Sequence, residues 1–225
     1  MSKSIAIDGP AGAGKSTIAK KVSANLGFIY LDTGAMYRAV ALKAINLGID
    51  TNSQKDLANM IENIDITISH ENNTQKIFLD GIDVSEAIRT PEVSAGASSV
   101  AVFKEVRLKL VDLQRKIATD KDVVMDGRDI GSYVLPNADL KIFLTASVDE
   151  RARRRYEELL QKGQNVNLND VKADMILRDN NDSSRAFAPL VKVADAIEVD
   201  STSMTIDDVV DRIMYFYNNY CYTNK

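Results

Sequence analysis

The sequence predicts an α/β protein whose core is a five-stranded parallel sheet with helices on both faces. Short apolar runs recur along the chain, and the five that read as strands are residues 4–8, 28–32, 122–126, 140–146 and 196–200. Longer stretches with helical patterning separate these runs, for example residues 101–119 and 148–162. This alternation is typical of parallel strands joined by helices. Because ligands bind beyond the carboxyl ends of such strands, the residues after each run are candidates for a site.

The first run leads directly into a glycine-rich segment, and residues 4–17 read SIAIDGPAGAGKST. Gly9, Gly14, Lys15 and Ser16 fit the pattern G-x-x-x-x-G-K-[ST], which wraps backbone amides around nucleotide phosphates at the start of a helix. In that geometry the Lys15 ammonium group reaches the β- and γ-phosphates, and the Ser16 hydroxyl joins the coordination shell of Mg²⁺. The alternative is a glycine-rich turn that only links a strand to a helix.

The composition favours a globular protein that binds small ligands. The chain has 225 residues, a hydrophobic content of 45% and a net charge of −4, and this charge is a poor match to non-specific nucleic-acid binding. No apolar run reaches the roughly 18 residues that a membrane span needs. Cys221 is the one cysteine, so no internal disulfide can form and a reducing cytoplasm is expected. His70 is the one histidine, so the chemistry must rest on Lys, Arg, Asp and hydroxyl groups.

One region between the second and third runs breaks the alternation. Three isoleucines between residues 64 and 68 alternate with polar residues, and the polar segment HENNTQ separates them from a second run, KIFLDGIDV. Asp80-Gly81 within that run is a strong signal for a tight turn. We therefore predict a small antiparallel meander, and we interpret roughly residues 34–99 as an α+β insertion that can move relative to the core.

Polar residues follow the second and third runs, at the edge of the sheet where a site is expected. The segment LDTGAMYR opens a helix and places Thr33 and Arg38 there, which implies an anionic ligand; the alternative is a helix cap with a solvated arginine. In MDGRDIGSYV, Gly127 suggests a tight turn that directs Arg128 and Asp129 into the cleft; the alternative is a simple Asp-Gly turn.

The segment DERARRRYEELL is dense in positive charge. It carries Arg151, Arg153, Arg154 and Arg155, and like charges this close on a helix repel each other unless a polyanion binds. We expect these arginines to face solvent until phosphates bind. The alternative is a solvated helix face that neighbouring carboxylates neutralise.

The segment LRDNNDSSRAFAP contains Arg178, Asp182 and Arg185. Arg178 and Asp182 share a face at helical spacing, so an intrahelical ion pair is the alternative to a ligand site. Together with the phosphate loop, the arginines of these segments favour two or more bound phosphate-sized anions. They therefore predict a second anionic substrate.

Several segments resemble the signature segments of the bacterial cytidylate kinase family: GPAGAGKST, LDTGAMYR, DGRDIG and RDNNDSSRAFAPL. The resemblance extends over about residues 4–210 and is far more specific than the phosphate loop alone. It implies a kinase that uses ATP and Mg²⁺ to convert CMP and dCMP to CDP and dCDP. It also implies a P-loop kinase core at residues 1–33 and 100–225, a helical lid at about residues 150–168 and an inserted monophosphate-binding subdomain at residues 34–99.

The resemblance also assigns site residues by position. For ATP it implies Gly9, Pro10, Ala11, Gly12, Ala13, Gly14, Lys15, Ser16 and Thr17, with Ser16 as the ligand of Mg²⁺. For CMP it implies Thr33, Arg38, Ser98, Arg107, Arg128, Asp129, Arg178, Asp182 and Arg185, with Ser98, Arg107 and Asp129 near cytosine. The candidate catalytic residues are Lys15, Arg128, Arg151, Arg154 and Arg155, of which the last three share a helix face at i, i+3 and i+4.

The chemistry of cytosine agrees with a carboxylate in its site. The amino group of cytosine donates a hydrogen bond where uracil presents a carbonyl oxygen, so CMP is expected to be preferred over UMP. The open alternative is a kinase for another small acceptor, such as UMP, AMP or a sugar acid. A GTPase switch is disfavoured because the chain lacks N-K-x-D and D-x-x-G segments. We expect a cytoplasmic monomer with small-molecule substrates, no nucleic-acid partner and no membrane association.

Overall fold

The computed structural model describes residues 2–71 and 74–221, and the strands of this part form two sheets. The strands are β1 (Ser4–Asp8), β2 (Ile29–Asp32), β3 (Ile66–Glu71), β4 (Thr74–Leu79), β5 (Ile82–Asp83), β6 (Val123–Gly127), β7 (Leu140–Thr145) and β8 (Ile197–Asp200). Five of them form a parallel sheet in the order β2-β6-β1-β7-β8. The predicted core sheet is thereby confirmed.

Helices connect the strands of this sheet, and the two whose extent was predicted, residues 101–119 and 148–162, are both present. They are α1 (Lys15–Leu26), α2 (Thr33–Asn46), α3 (Gln54–Glu62), α4 (Pro91–Val100), α5 (Lys104–Thr119), α6 (Val148–Gln161), α7 (Leu168–Ser184) and α8 (Ile206–Cys221). A short 3₁₀ turn covers Ala87–Arg89, and a π-helical turn covers Ile130–Val134. The helix predicted from residue 101 begins at Lys104 instead, because the backbone of Phe103 is extended and ends the preceding turn.

Strand β1 lies at the centre of the sheet because it is apolar on both faces. Ile5 and Ile7 are buried in a cluster with residues of α1 and α8, whereas Ala6 is buried in a cluster with Val111 of α5. Alternate residues of a strand point to opposite faces, so each face of the sheet is covered by helices. This arrangement places the carboxyl ends of β1, β2 and β6 side by side.

The second sheet is the antiparallel meander predicted from the sequence. Its order is β3-β4-β5, and Ile68 lies opposite Ile77. Asp80 and Gly81 form the predicted tight turn between β4 and β5, both with positive φ (49° and 81°). Residues 72 and 73 of the predicted HENNTQ turn lie outside the described residues.

The meander packs against α2 rather than against the core sheet alone. Ile66, Ile77 and Leu79 belong to the same buried apolar cluster as Met36 and Val40 of α2. Two other clusters flank the central sheet. This separate apolar core fits an inserted subdomain, and the boundaries at residues 34–99 stay a prediction.

Within residues 2–71 and 74–221, no helix combines the length and apolar character needed to cross a bilayer. Cys221 is the last residue of α8, and its side chain lies outside the described part of the structure.

Candidate active site

The glycine-rich loop between β1 and α1 has the backbone geometry of a phosphate loop. Gly9, Gly12 and Gly14 all have positive φ (150°, 74° and 90°). Gly14 is the N-cap of α1, and a β-carbon at Gly9 would collide with the carbonyl oxygen of Leu144 in β7. Glycine is therefore required at both positions, and the first amides of α1 can face an anion.

Lys15 is buried at the start of α1. Its ammonium group donates a hydrogen bond to the carbonyl oxygen of Pro10, 2.7 Å away. Burial and the nearby guanidinium of Arg128 lower the pKa of Lys15 to about 7, against the opposing effect of Asp126. A buried cation with a lowered pKa is poised to interact with added negative charge, which is what ATP phosphates would supply.

Asp126 connects the phosphate loop with the end of β6. The hydroxyl of Ser16 donates to its Oδ2 (2.9 Å), and the hydroxyl of Tyr30 donates to its Oδ1 (2.9 Å). The Thr33 hydroxyl donates to its backbone carbonyl oxygen at 2.7 Å. Burial raises the pKa of Asp126 to about 6. The sequence analysis missed this residue, although a carboxylate that ends a buried strand beside the phosphate loop was the available signal.

Asp8, at the end of β1, is a second buried carboxylate that the sequence analysis missed. It accepts hydrogen bonds from the backbone N–H groups of Ile130 (2.8 Å) and Gly131 (2.7 Å). Burial raises its pKa to about 6 despite these two donors. Asp8 thereby fixes the turn that follows β6 and carries Asp129.

The tight turn predicted at Gly127 is wrong. Gly127 is the last residue of β6, where it pairs with Asp8 of β1. A β-carbon at this position would lie 2.6 Å from Cδ1 of Ile130 and 2.9 Å from Oγ1 of Thr33. Close packing, and not turn geometry, therefore requires glycine here.

Five charged residues predicted at the acceptor side form one continuous network. Arg107 Nη2 lies 2.5 Å from Asp129 Oδ2, and Arg185 Nη2 lies 3.7 Å from Asp129 Oδ1. Asp182 lies 3.5 Å from Arg185 Nη1 and 2.6 Å from Arg128 Nε. Arg107 is 1% exposed and Asp129 is 4% exposed, so the pair is fully desolvated. The aromatic ring of Tyr37, which the sequence analysis did not assign, lies 5.4 Å from the Arg107 guanidinium.

Arg178 differs from these arginines because it has no ion pair within the described residues. Asp182 pairs with Arg128 and Arg185 instead, so the intrahelical pair considered for Arg178 does not form. Burial, together with the charge of Arg128, lowers the pKa of Arg178, and Arg155 and Arg38 lower it further. The three arginines that act on Arg178 each pair with a carboxylate, Arg128 with Asp182, Arg38 with Asp32 and Arg155 with Glu158, so within the described residues Arg178 is the member of this group without an ion pair.

Two other predicted residues lie at the border of this region. Arg38 pairs with Asp32 Oδ2 at 2.8 Å, and its buried Nε has no hydrogen-bond partner among the described residues. Ser98 lies in α4, where its hydroxyl is 3.5 Å from the carbonyl oxygen of Ser94. Among the described contacts, none joins Ser98 to Arg107 or Asp129.

The arginines of α6 have partners, which corrects the expectation that they face solvent without them. Arg151 is only 6% exposed, and it binds Asp179 (2.7 Å) and the carbonyl oxygen of Ala11 in the phosphate loop (3.0 Å). Arg154 donates to the carbonyl oxygen of Ser201 at 2.7 Å. The other three arginines form ion pairs with carboxylates of the same helix: Arg153 with Glu150 and Glu157, Arg154 with Glu150, and Arg155 with Glu158.

Similarity to a known protein family identifies the family of this chain. The family model described as cytidylate kinase matches residues 5–219. This chain belongs to the cytidylate kinase family. The resemblance inferred from the sequence segments is thereby confirmed.

Individual cytidylate kinases are similar to this chain over nearly their whole length. The one from Desulfitobacterium hafniense (strain Y51) is 54% identical over 215 residues, which cover 96% of this chain and 92% of that protein. The one from Alkaliphilus oremlandii (strain OhILAs) is 56% identical over 210 residues, covering 93% of this chain and 95% of that protein. The one from Clostridioides difficile (strain 630) is 53% identical with the same coverage.

A solved structure gives a comparison of fold. An uncharacterized protein from Eubacterium ventriosum ATCC 27560 has a TM-score of 0.52 and 14% identity, covering 96% of this chain and 98% of that chain. At this identity the likeness concerns the fold alone.

Oxygen atoms beside the phosphate loop of this cytidylate kinase family member are suited to Mg²⁺. Within the described residues, no three His, Cys, Asp or Glu side chains gather as metal ligands. Ser16 and Asp126 nevertheless bring a hydroxyl and a carboxylate together beside the phosphate loop. Mg²⁺ takes oxygen ligands and in kinases is held by one or two protein groups plus substrate phosphates, so these residues fit it.

Proposed function

We propose that this chain transfers the γ-phosphoryl group of ATP to the phosphate of CMP between the phosphate loop and the guanidinium groups of Arg38, Arg128 and Arg178. Membership of the cytidylate kinase family makes the chain a kinase that acts on CMP. The structural observation that supports this placement concerns Arg178. This half-buried cation has no ion pair among the described residues, and the charges of Arg128, Arg155 and Arg38 act on it. Since the other three arginines have carboxylate partners and Arg178 has none among the described residues, an anion bound beside Arg178 would complement its charge.

The ATP side of the site is the loop from Gly9 to Thr17. Its backbone amides would hold the β- and γ-phosphates, and Lys15 would leave Pro10 to pair with them. Ser16 and Asp126 would hold Mg²⁺, which when bound neutralises charge on the phosphate oxygens. The acceptor phosphate oxygen of CMP is already ionised at neutral pH. The protein therefore needs no general base, and its residues contribute positioning and charge stabilisation.

The acceptor side would read cytosine with the buried pair of Arg107 and Asp129. Asp129 accepts hydrogen bonds, so its carboxylate complements the amino group of cytosine. Ser98 would have to turn from Ser94 to reach the base. Asp182 and Arg185, which join the cytosine pair to Arg128, are proposed to lie beside the sugar. Thr33 anchors the start of α2 to β6 at the phosphate end.

A screen of acceptors tests this assignment. With ATP and Mg²⁺, CMP is expected to give the highest kcat/KM, with dCMP also accepted and UMP and AMP poorer by about 10-fold or more. The measurement is coupled steady-state kinetics for the four nucleotides, repeated with EDTA, which should abolish turnover. Equal kcat/KM for CMP and UMP would contradict the proposed role of Asp129, and turnover in EDTA would contradict the role of Mg²⁺.

We propose that α6 and the segment after it, about residues 150–168, close over the bound phosphates as a lid. Of the lid arginines, Arg155 is the best placed to contact the transferring phosphoryl group. Its partner Glu158 is exposed, and the charge of Arg155 already acts on Arg178. Arg151 instead holds the phosphate loop through Ala11, and Arg154 holds the segment after β8 through Ser201. Closure would exclude water and so favour transfer to CMP over hydrolysis.

Single substitutions on α6 distinguish a lid from a solvated face. Arg155→Met is expected to lower kcat by about 10²-fold with little change in ATP affinity, because one donor to the transferring group is lost. Arg153→Met is the matched control, since Arg153 is exposed and pairs only with Glu150 and Glu157 among the described residues. The measurements are kcat and the calorimetric Kd for ATP. The same kcat in both variants would show that Arg155, like Arg153, belongs to a solvated face of α6.

The cellular setting proposed for this enzyme is the cytoplasm, as a monomer that binds small molecules. Support comes from the composition: one cysteine suits a reducing compartment, and a net charge of −4 disfavours nucleic-acid binding.

A further inference from the structure

Strand β2 is an edge strand of the central sheet, and part of its backbone faces away from the sheet. Ile29 N–H donates to the carbonyl oxygen of Asp122, so Ile29 and Leu31 face the neighbouring strand β6. Tyr30 and Asp32 therefore present their backbone groups to the other side. Backbone groups on a sheet edge need partners, and here the partners come from the meander.

Two directly opposed residues of the meander supply these partners. His70 on β3 and Gln75 on β4 form a cross-strand pair, so their side chains lie side by side. Nε2 of His70 is 2.7 Å from the carbonyl oxygen of Tyr30. Gln75 Oε1 accepts from Asp32 N–H at 2.8 Å, while its Nε2 donates to Asp32 C=O at 3.4 Å. An amide side chain matches a peptide group in this way because it carries both a donor and an acceptor.

Asp32 connects this contact to the acceptor site. Its side chain accepts from Ala35 N–H at 2.9 Å, which caps α2, and its Oδ2 pairs with Arg38 at 2.8 Å. Gln75 thus holds the backbone of the residue that orients Arg38. Arg38 in turn belongs to the arginine cluster assigned above to the CMP phosphate.

Packing does not hold this junction by itself. A cavity of about 30 Å³, lined in part by Tyr30, Asp32, Gln75 and Ile77, lies at the seam between β2 and the meander. A space of this size and polarity admits at least one water molecule. The hydrogen bonds of Gln75 therefore act beside the apolar contacts of Ile77 and the hydrogen bond of His70 in holding the meander against β2, and they are the ones that reach Asp32.

We propose that Gln75 is a positioning residue for phosphoryl transfer: it holds Asp32 so that Arg38 meets the acceptor phosphate. The proposal rests on the assignment of Arg38 to the CMP phosphate under the proposed function. It gives the meander a role in acceptor binding even though Gln75 itself touches neither substrate.

Kinetics of Gln75→Leu test the proposal. Leucine has similar size but neither donor nor acceptor, so KM for CMP is expected to rise about 3- to 10-fold while KM for ATP stays unchanged. Gln54→Leu is the matched control, because Gln54 is an exposed glutamine of α3 that bonds Glu105 and not β2. A Gln75→Leu enzyme with the same KM for CMP as the control, or with both KM values raised equally, would overturn the proposal.

A double-mutant cycle with Arg38→Met identifies the route of the effect. If Gln75 acts through Arg38, Gln75→Leu should cause no further rise in KM for CMP once Arg38 is Met. Equal effects of Gln75→Leu in both backgrounds would overturn the proposal. If Arg38→Met alone leaves KM for CMP unchanged, the assignment of Arg38 fails and the proposal falls with it. If Arg38→Met raises KM for CMP but Gln75→Leu leaves it unchanged, the proposed function stands and the positioning role of Gln75 is refuted.

Discussion

Replacing Lys15 with Met is expected to lower kcat by about 10²- to 10³-fold and to leave the fold intact. Lys15 is the buried cation of the phosphate loop, and its loss removes the charge that would stabilise the transferring phosphoryl group. Stability should not fall, because burial already disfavours the charged ammonium and lowers its pKa to about 7. Methionine fills the same apolar space as the lysine stem. The measurements are kcat at saturating ATP and CMP, and the thermal midpoint.

A lysine on the same helix provides the control for this experiment. Lys21 is exposed and pairs with Asp207 at 2.7 Å, far from the loop. Lys21→Met should therefore retain normal turnover, since it removes one surface ion pair, which contributes little to stability. Near-normal kcat in Lys15→Met would contradict the assignment of Lys15 to the phosphates of ATP.

Replacing Asp129 is expected to change both substrate choice and stability. Asp129→Ala leaves Arg107 and Arg185 without their shared buried carboxylate, and breaking such a pair costs about 3–5 kcal/mol of unfolding free energy. If Asp129 also accepts the amino group of cytosine, the ratio of kcat/KM for CMP to that for UMP should fall by about 10-fold or more. Chemical denaturation measures the first effect, and steady-state kinetics with both nucleotides measure the second.

Asp129→Asn separates the two effects, because it keeps the volume of the side chain and removes its charge. It should reduce the CMP preference with a smaller loss of stability than Asp129→Ala. Asp174→Asn, a change at an exposed position of α7, is the matched control and should leave both quantities unchanged. An equal loss of kcat/KM for CMP and UMP would assign Asp129 a structural role only.

The phosphate loop and the meander turn were predictable because their signals are local. Gly14 and Lys15 lie in one short motif whose spacing follows from how a strand leads into a helix around a phosphate. The turn at Asp80-Gly81 needs positive φ at adjacent residues, a requirement that these residue types satisfy most easily. The order of the strands in the sheet was not predicted, since apolar runs identify strands but do not say which strands are neighbours.

Gly127 shows where a local interpretation failed. An Asp-Gly pair also occurs at Asp80-Gly81, where it forms a turn, yet at Asp126-Gly127 it continues strand β6. At Gly127 the pairing with Asp8 of β1 continues the strand, and Thr33 and Ile130 leave no room for a side chain there. Crowding by a residue distant in sequence cannot be inferred from the dipeptide itself.

The sequence by itself determined the class of fold, the glycine-rich loop between β1 and α1, and which segments carry the charges of the candidate site. Only the tertiary structure decided which charges are paired: it joins Asp182 to Arg128 instead of Arg178, buries Arg151 against the phosphate loop and places Gln75 on Asp32. The physical reason is that motif geometry depends on neighbours along the chain, whereas ion pairs and desolvation depend on distances in space. Those distances exist only after the chain has folded.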